Sequence, residues 1–279
     1  MKNEQNKQSK KYTGFDMARL SAGSCAGCGA CCRGMGDTIV LDPYDVCLLT
    51  AGLGLPFADL LEKAVDLHVE DGIILPHLRQ EDCGDSIRAA GRESGSPLRT
   101  GKESGSPLRT GKESGDSSGT RCHFLGENGR CRVHAFRPGI CRLFPLGRQY
   151  GEGEEGKITY FLLEDACVDR SRTKVRIDKW LGVPDLPRYE AFKMKWHRLL
   201  RTLEARLAAE NDPDVAGKVN LIFLQTFFMK PYFDLGRGGQ PNKLNTKTAA
   251  RAETGLPLFD SRIFYEQFEE RIKQFSVVL

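Results

Sequence analysis

Cys25, Cys28, Cys31 and Cys32 put four thiols into eight residues, in the order Cys-Ala-Gly-Cys-Gly-Ala-Cys-Cys. Steps of three residues let successive thiolates turn toward one centre, and Gly27 and Gly29 permit backbone conformations closed to other residues. Chain folding alone does not ask for such a run. Thiolates so spaced bind zinc or an iron–sulfur cluster. Three more cysteines, Cys122, Cys131 and Cys141, follow far along the chain, and Cys167 is an eighth candidate. One tetrahedral zinc or one [4Fe–4S] cluster takes four protein ligands, so eight candidates allow one site with spare thiols, or two sites. Neighbouring Cys31 and Cys32 are poorly placed to chelate the same atom, which favours two centres or one bridged centre. The three-residue spacing also opens a ferredoxin-like ligand run, which tilts the reading toward iron.

Other donors stand near these thiols. His123 follows Cys122, and His134 lies three residues beyond Cys131, a spacing able to complete a Cys/His zinc site. His77 and Cys83 are further possible ligands but have no partner at useful spacing; Cys47 reads as a buried small hydrophobe and His197 as structural. Between residues 121 and 148 there are six arginines (Arg121, Arg130, Arg132, Arg137, Arg142 and Arg148) against one acid, Glu127. Thiolates around a metal leave a negative site, and guanidinium groups would offset it and donate hydrogen bonds to sulfur. A solvated basic face and a pocket for an anionic substrate are the competing readings.

These residues resemble the CxxCxxCC family of zinc- or iron-chelating domains, also called YkgJ-type cysteine cluster proteins. The resemblance is carried by CAGCGACC at 25–32, a following Asp-Pro helix, CHFL at 122–125, GRCRVHAFRPGICRLFP at 129–145 and the late Cys167. It spans roughly residues 20–185. His134 stands where the family shows Tyr, and residues 91–120 are an insertion. The resemblance implies a bound zinc ion or iron–sulfur cluster and no established reaction. Some relatives carry the module in a flagellin lysine methylase, but this chain shows no glycine-rich S-adenosylmethionine fingerprint. Nor does it show a Ser-His-Asp order, an HExxH pair or a phosphate loop. A metal-using protein-modifying enzyme and a zinc-stapled interaction module are therefore the alternatives to a metal-binding protein without assigned catalysis.

The elements that must position the thiols can also be read. Asp37–Leu41 reads as a short strand. Asp42-Pro43 starts a helix, with Asp at the N-cap, Pro at the first position and Val46, Cys47, Leu49 and Leu53 on the apolar face. Gly52 and Gly54 end it. A second helix follows Leu55-Pro56, with His68 on a surface beyond, and a strand runs over Ile73–Leu75 until Pro76 closes it. Cys122–Val133 reads as two extended pieces around an Asn-Gly turn, and a hairpin-like stretch reaches Leu163. The last third is helical. Phe192, Trp196, Leu199, Leu200, Leu203 and Leu207 form one stripe; Val219, Ile222, Phe223 and Phe227 a second; Ile263, Phe264, Phe268, Ile272 and Phe275 a third.

The expected fold is α+β: a small cysteine-cluster domain with short strands and helices at 21–185, then a helical extension at 186–279. A basic, unstructured tail is expected at 1–20, where Lys2, Lys7, Lys10 and Lys11 face Glu4. A structureless loop is expected at about 86–120, because Gly91–Thr100 recurs nearly unchanged as Gly101–Thr110 and each copy offers one Leu for burial. Hydrophobic content of 40% over 279 residues supports a packed core. A net charge of +4 gives no global signature of a nucleic-acid binder. The lysine-rich start lacks the apolar stretch of a signal peptide, and no apolar run reaches the roughly 20 residues of a membrane helix. Ten cysteines without an export signal point to a reducing cytoplasm and metal rather than disulfides. A protein partner is expected on the helical C-terminal region; no membrane or nucleic-acid partner is.

Overall fold

The structure is a computed structural model, and it describes residues 10–21, 27–82, 119–153, 156–164, 166–168, 172–233 and 260–279. The repeat, Cys25 and Cys83 lie outside the described residues. The fold is α+β, as the sequence leads one to expect. Its strands are short and sit in four small antiparallel sheets.

Strands β1 (Lys11–Tyr12) and β2 (Met17–Leu20) open the described chain. They correct the reading of a tail for residues 11–20; residues 1–9 lie outside the described residues. Ala18 and Leu20 alternate with exposed neighbours and enter the core, and pairing to a distant strand holds a segment whose composition looks like that of a linker. Two 3₁₀ turns, Ala30–Cys32 and Gly36–Thr38, then lead into helix α1 (Pro43–Leu53). Asp42 caps α1 as expected, and Asp45 completes a reciprocal capping box with it. Gly54 ends α1 in the left-handed conformation. The expected strand at Asp37–Leu41 is reduced to a turn and one bridge, Val40 to His77, because only Ile39 and Leu41 hydrogen bond to the neighbouring strand.

Helix α2 (Phe57–Lys63) precedes β3 (Val65–Glu70), which pairs with β4 (Ile73–Leu78). His68 therefore lies on a strand the sequence did not signal. Pro76 does not close β4; it sits within it, opposite Leu67. Proline is tolerated in such an outer strand, since only its missing N–H is lost. Strand β5 (Gln80–Asp82) pairs with β6 (Thr120–Cys122), so the two ends of the repeat-bearing insertion leave from one small ladder. Helix α3 (Gly139–Leu143) follows a 3₁₀ turn at His134–Phe136. Strands β7 (Leu146–Tyr150) and β8 (Ile158–Leu162) form the expected hairpin, and β1 adds to it in the order β1-β8-β7. Strand β9 (Thr173–Arg176) pairs with β2 and runs into α4 (Ile177–Leu181).

The C-terminal helices are α5 (Leu186–Ala208), α6 (Pro213–Leu224), which continues into a π-helical turn at Gln225–Met229, and α7 (Ser261–Phe275). Their aromatic stripes are core. Trp196 stacks on Phe223 and meets Phe227 edge-on, Phe268 lies tilted against both Trp196 and Phe227, and Tyr44 of α1 packs edge-on against Tyr189 and Phe264. Ile222, expected inside, is among the exposed apolar residues, while Arg271 is buried and donates to the carbonyls of Thr226, Lys230 and Pro231. One buried apolar cluster runs from Ala18 through α1 to Phe275, so α1 lies between the cysteine-bearing segments and the helices.

Candidate metal centre

The first cysteine run reaches the second through backbone contact. Gly27, Gly29 and Gly129 all have positive φ, at 88°, 61° and 72°. A Cβ on Gly129 would stand 2.3 Å from the Gly27 carbonyl oxygen, and one on Gly29 would stand 2.9 Å from Leu125 Cδ1. Glycine is required twice over, by conformation and by space. The Asn-Gly turn that supplies Gly129 is tied by Gly126 accepting from Gly129 N–H and by the bridge between Leu125 and Cys131. Cys122 ends β6 on one side of this turn and Cys131 leaves it on the other.

The thiols of Cys31, Cys32, Cys122, Cys131 and Cys141 lie within one another's electrostatic reach. Cys32 donates a hydrogen bond to Cys31 and pulls the Cys31 thiol down to about 6, with Arg137 acting in the same direction. The same bond pushes Cys32 up, and so do burial and the neighbouring Cys122 and Cys131. Burial raises Cys122, with Cys131 adding to it. Burial raises Cys131 as well, with Cys31 adding to it. Cys141 is raised by burial first and then by Cys122, Asp45, Cys131 and Cys31. Segments more than 85 residues apart in sequence thus supply thiols to one field.

The remaining candidates stand differently. Cys28 is exposed beside Gly27, and Cys167 is half-buried in the short piece 166–168. Cys25 lies outside the described residues. The described cysteines are all free thiols. Cys47 is buried within α1, and burial raises its thiol well above the usual value, as suits an inert small side chain. His123 Nδ1 is 2.6 Å from Glu81 Oε1, and His134 Nε2 is engaged by Arg137, so both rings have partners other than a metal.

The arginines divide. Arg137 and Arg132 favour thiolate at the cysteines, Arg137 at Cys31 and Cys131, Arg132 at Cys122 and Cys131. Arg142 instead is buried and bonds the carbonyls of Arg137 and Ala135, holding the turn before Cys141. Arg121 pairs with Glu81, and Arg148 lies over the Tyr189 ring. Charge balance at sulfur therefore falls to Arg132 and Arg137, while Arg121, Arg142 and Arg148 have partners elsewhere.

Among the described residues, no three His, Cys, Asp or Glu side chains stand close enough to share one ion. The donor set fits a thiophilic metal in kind: five thiols that act on one another electrostatically, one of them pulled down by its neighbour Cys32, and cations beside them. The sequence did not reveal the buried polar array behind this cluster. Asp42 is paired with Lys193 of α5, and Asp45 accepts a hydrogen bond from Gly139 N–H at 2.7 Å. Asp45, thirteen residues beyond Cys32, carries no sign in one dimension of its contact with Gly139.

No single helix among the described residues is long and apolar enough to cross a membrane. No curated protein and no solved structure matches the chain. The family model described as "Putative zinc- or iron-chelating domain", CxxCxxCC, matches residues 24–167, more than half of the chain, and the chain belongs to that family.

Proposed function

We propose that this protein holds an iron–sulfur cluster, of the [4Fe–4S] type, in the cytoplasm through thiols from both cysteine stretches. One observation carries the reading: Cys31, Cys32, Cys122, Cys131 and Cys141 perturb one another across two loops joined at Gly27 and Gly129. The vicinal pair supports a polynuclear centre over a single zinc, because adjacent thiols serve different metal atoms more readily than one. Cys25 and Cys28 lie on the same run and remain candidates for the set, and Cys167 is a further one. When bound, a cluster supplies electron-transfer or structural chemistry. The chain's own residues supply thiolates, the charge of Arg132 and Arg137, and the apolar cover of Leu125 and Val133.

Anaerobic purification with iron, zinc and sulfide quantified tests the proposal. The expected result is a coloured protein with iron and sulfide in equal amounts. A colourless protein with stoichiometric zinc and no sulfide rejects the cluster and leaves the zinc-chelating alternative.

A further inference from the structure

Helix α1 grips the second cysteine stretch at two points. Gly52 has no side chain where the Phe136 ring lies; a Cβ there would be 2.5 Å from ring atoms. Two turns earlier, the buried Asp45 Oδ1 accepts from Gly139 N–H at 2.7 Å. Gly139 is the first residue of α3, two before Cys141. The other oxygen of the same carboxylate closes the capping box on Asp42 N–H, and Asp42 is fastened in turn to Lys193. Gly139 has no room for a side chain, since a Cβ would meet the Tyr189 hydroxyl at 2.3 Å, with Asp45 Oδ1 at 3.4 Å.

We propose that Asp45 is a positioning residue for Cys141, latching the start of α3 to α1 so that the Cys141 thiol faces the other four. The proposal rests on the reading of Cys141 as a metal ligand. A helix start carries N–H groups with no partner inside the helix, and a buried one left unpaired is costly. Asp45 satisfies that of Gly139, so α3 has one preferred position and Cys141 moves with it. Arg142, bonded to the carbonyls of Ala135 and Arg137, fixes the same segment from its other side.

The test uses the full chain, metal-free and cobalt-loaded. Alkylation of each cysteine is followed by peptide mapping in the metal-free protein, and cobalt(II) is titrated by its thiolate charge-transfer absorption. Asp45→Leu removes the acceptor; the expected result is Cys141 alkylation faster by about 10-fold, Cys122 unchanged, and cobalt bound about 10- to 100-fold more weakly. Asp45→Asn keeps an oxygen for Gly139, gives up only the longer bond from Asp42 N–H, and retains both values. Gly139→Ala pushes α3 away by a different route and exposes Cys141, and adding Tyr189→Phe, which removes the blocking hydroxyl, restores it. A folded Asp45→Leu protein with wild-type Cys141 reactivity overturns the proposal. Where Asp45→Leu does not fold, equal Cys141 reactivity in Gly139→Ala with and without Tyr189→Phe overturns it. A chain that binds no cobalt but shows the expected alkylation pattern upholds the latch and rejects a single-ion thiolate site, leaving the cluster to the iron and sulfide analysis.

Discussion

Gly27 and Gly129 meet backbone to backbone, so near that a single added methyl on Gly129 would lie 2.3 Å from the Gly27 carbonyl oxygen. This contact is what joins the CxxCxxCC run to the turn between Cys122 and Cys131. Gly129→Ala should part the loops. Its φ of 72° adds backbone strain to the clash, and positions of that kind cost about 1–3 kcal/mol. A lower denaturation midpoint together with lost metal uptake is the expected pair of results, read by urea titration and metal analysis.

The coupled thiols make a sharper test of the metal set. Cys122→Ser should abolish stoichiometric metal, because it removes the thiol that acts on both Cys32 and Cys141. Cys47→Ala, on the buried face of α1, should leave metal content unchanged and lower stability only by the cost of a small cavity. Equal metal content in the two variants would remove Cys122 from the set.

Asp42 and Lys193 form a buried ion pair between α1 and α5. Lys193→Met strands the Asp42 carboxylate and should cost about 3–5 kcal/mol. Asp42→Asn combined with Lys193→Met should recover most of that loss, since Asn keeps the helix cap and no charge is left unpaired. A double-mutant cycle on urea midpoints checks it.

Asp45 gives a pH dependence of defined sign. Burial, and then the Asp42 carboxylate beside it, push the Asp45 carboxyl up to about 7. An unfolded Asp titrates at about 4, so the folded protein binds more protons than the unfolded chain between those values. The contribution is complete below about 4 and lost as pH rises through about 7. Metal-free protein should therefore lose stability from pH 5 to 8, and Asp45→Asn should be flatter over that window. Lys193 and the Gly139 N–H oppose the shift, and wild-type and Asn variants that change alike would refute it.

Much of the fold was legible because its signals are local. Asp42-Pro43 and Gly54 bound α1, Asn128-Gly129 turns between Leu125 and Cys131, and the stripes of Phe192, Trp196 and Phe268 mark helices, since caps, turns and periodicity act within a few residues. The failures at β1, β2, β3 and Pro76 are equally physical. Short strands are made by a distant partner, and Met17–Leu20 has none until Thr173–Arg176 arrives. The sequence by itself determined the kind of chemistry, because a run of closely spaced thiols has few uses other than metal. Only the tertiary structure decided which thiols act on one another, that Arg132 and Arg137 act on them, and that Asp45 holds the start of the helix of Cys141. The joins between the two stretches, Gly27 to Gly129 and Asp45 to Gly139, span about 90 residues or more and are fixed by the packing of α1 and by backbone without side chains.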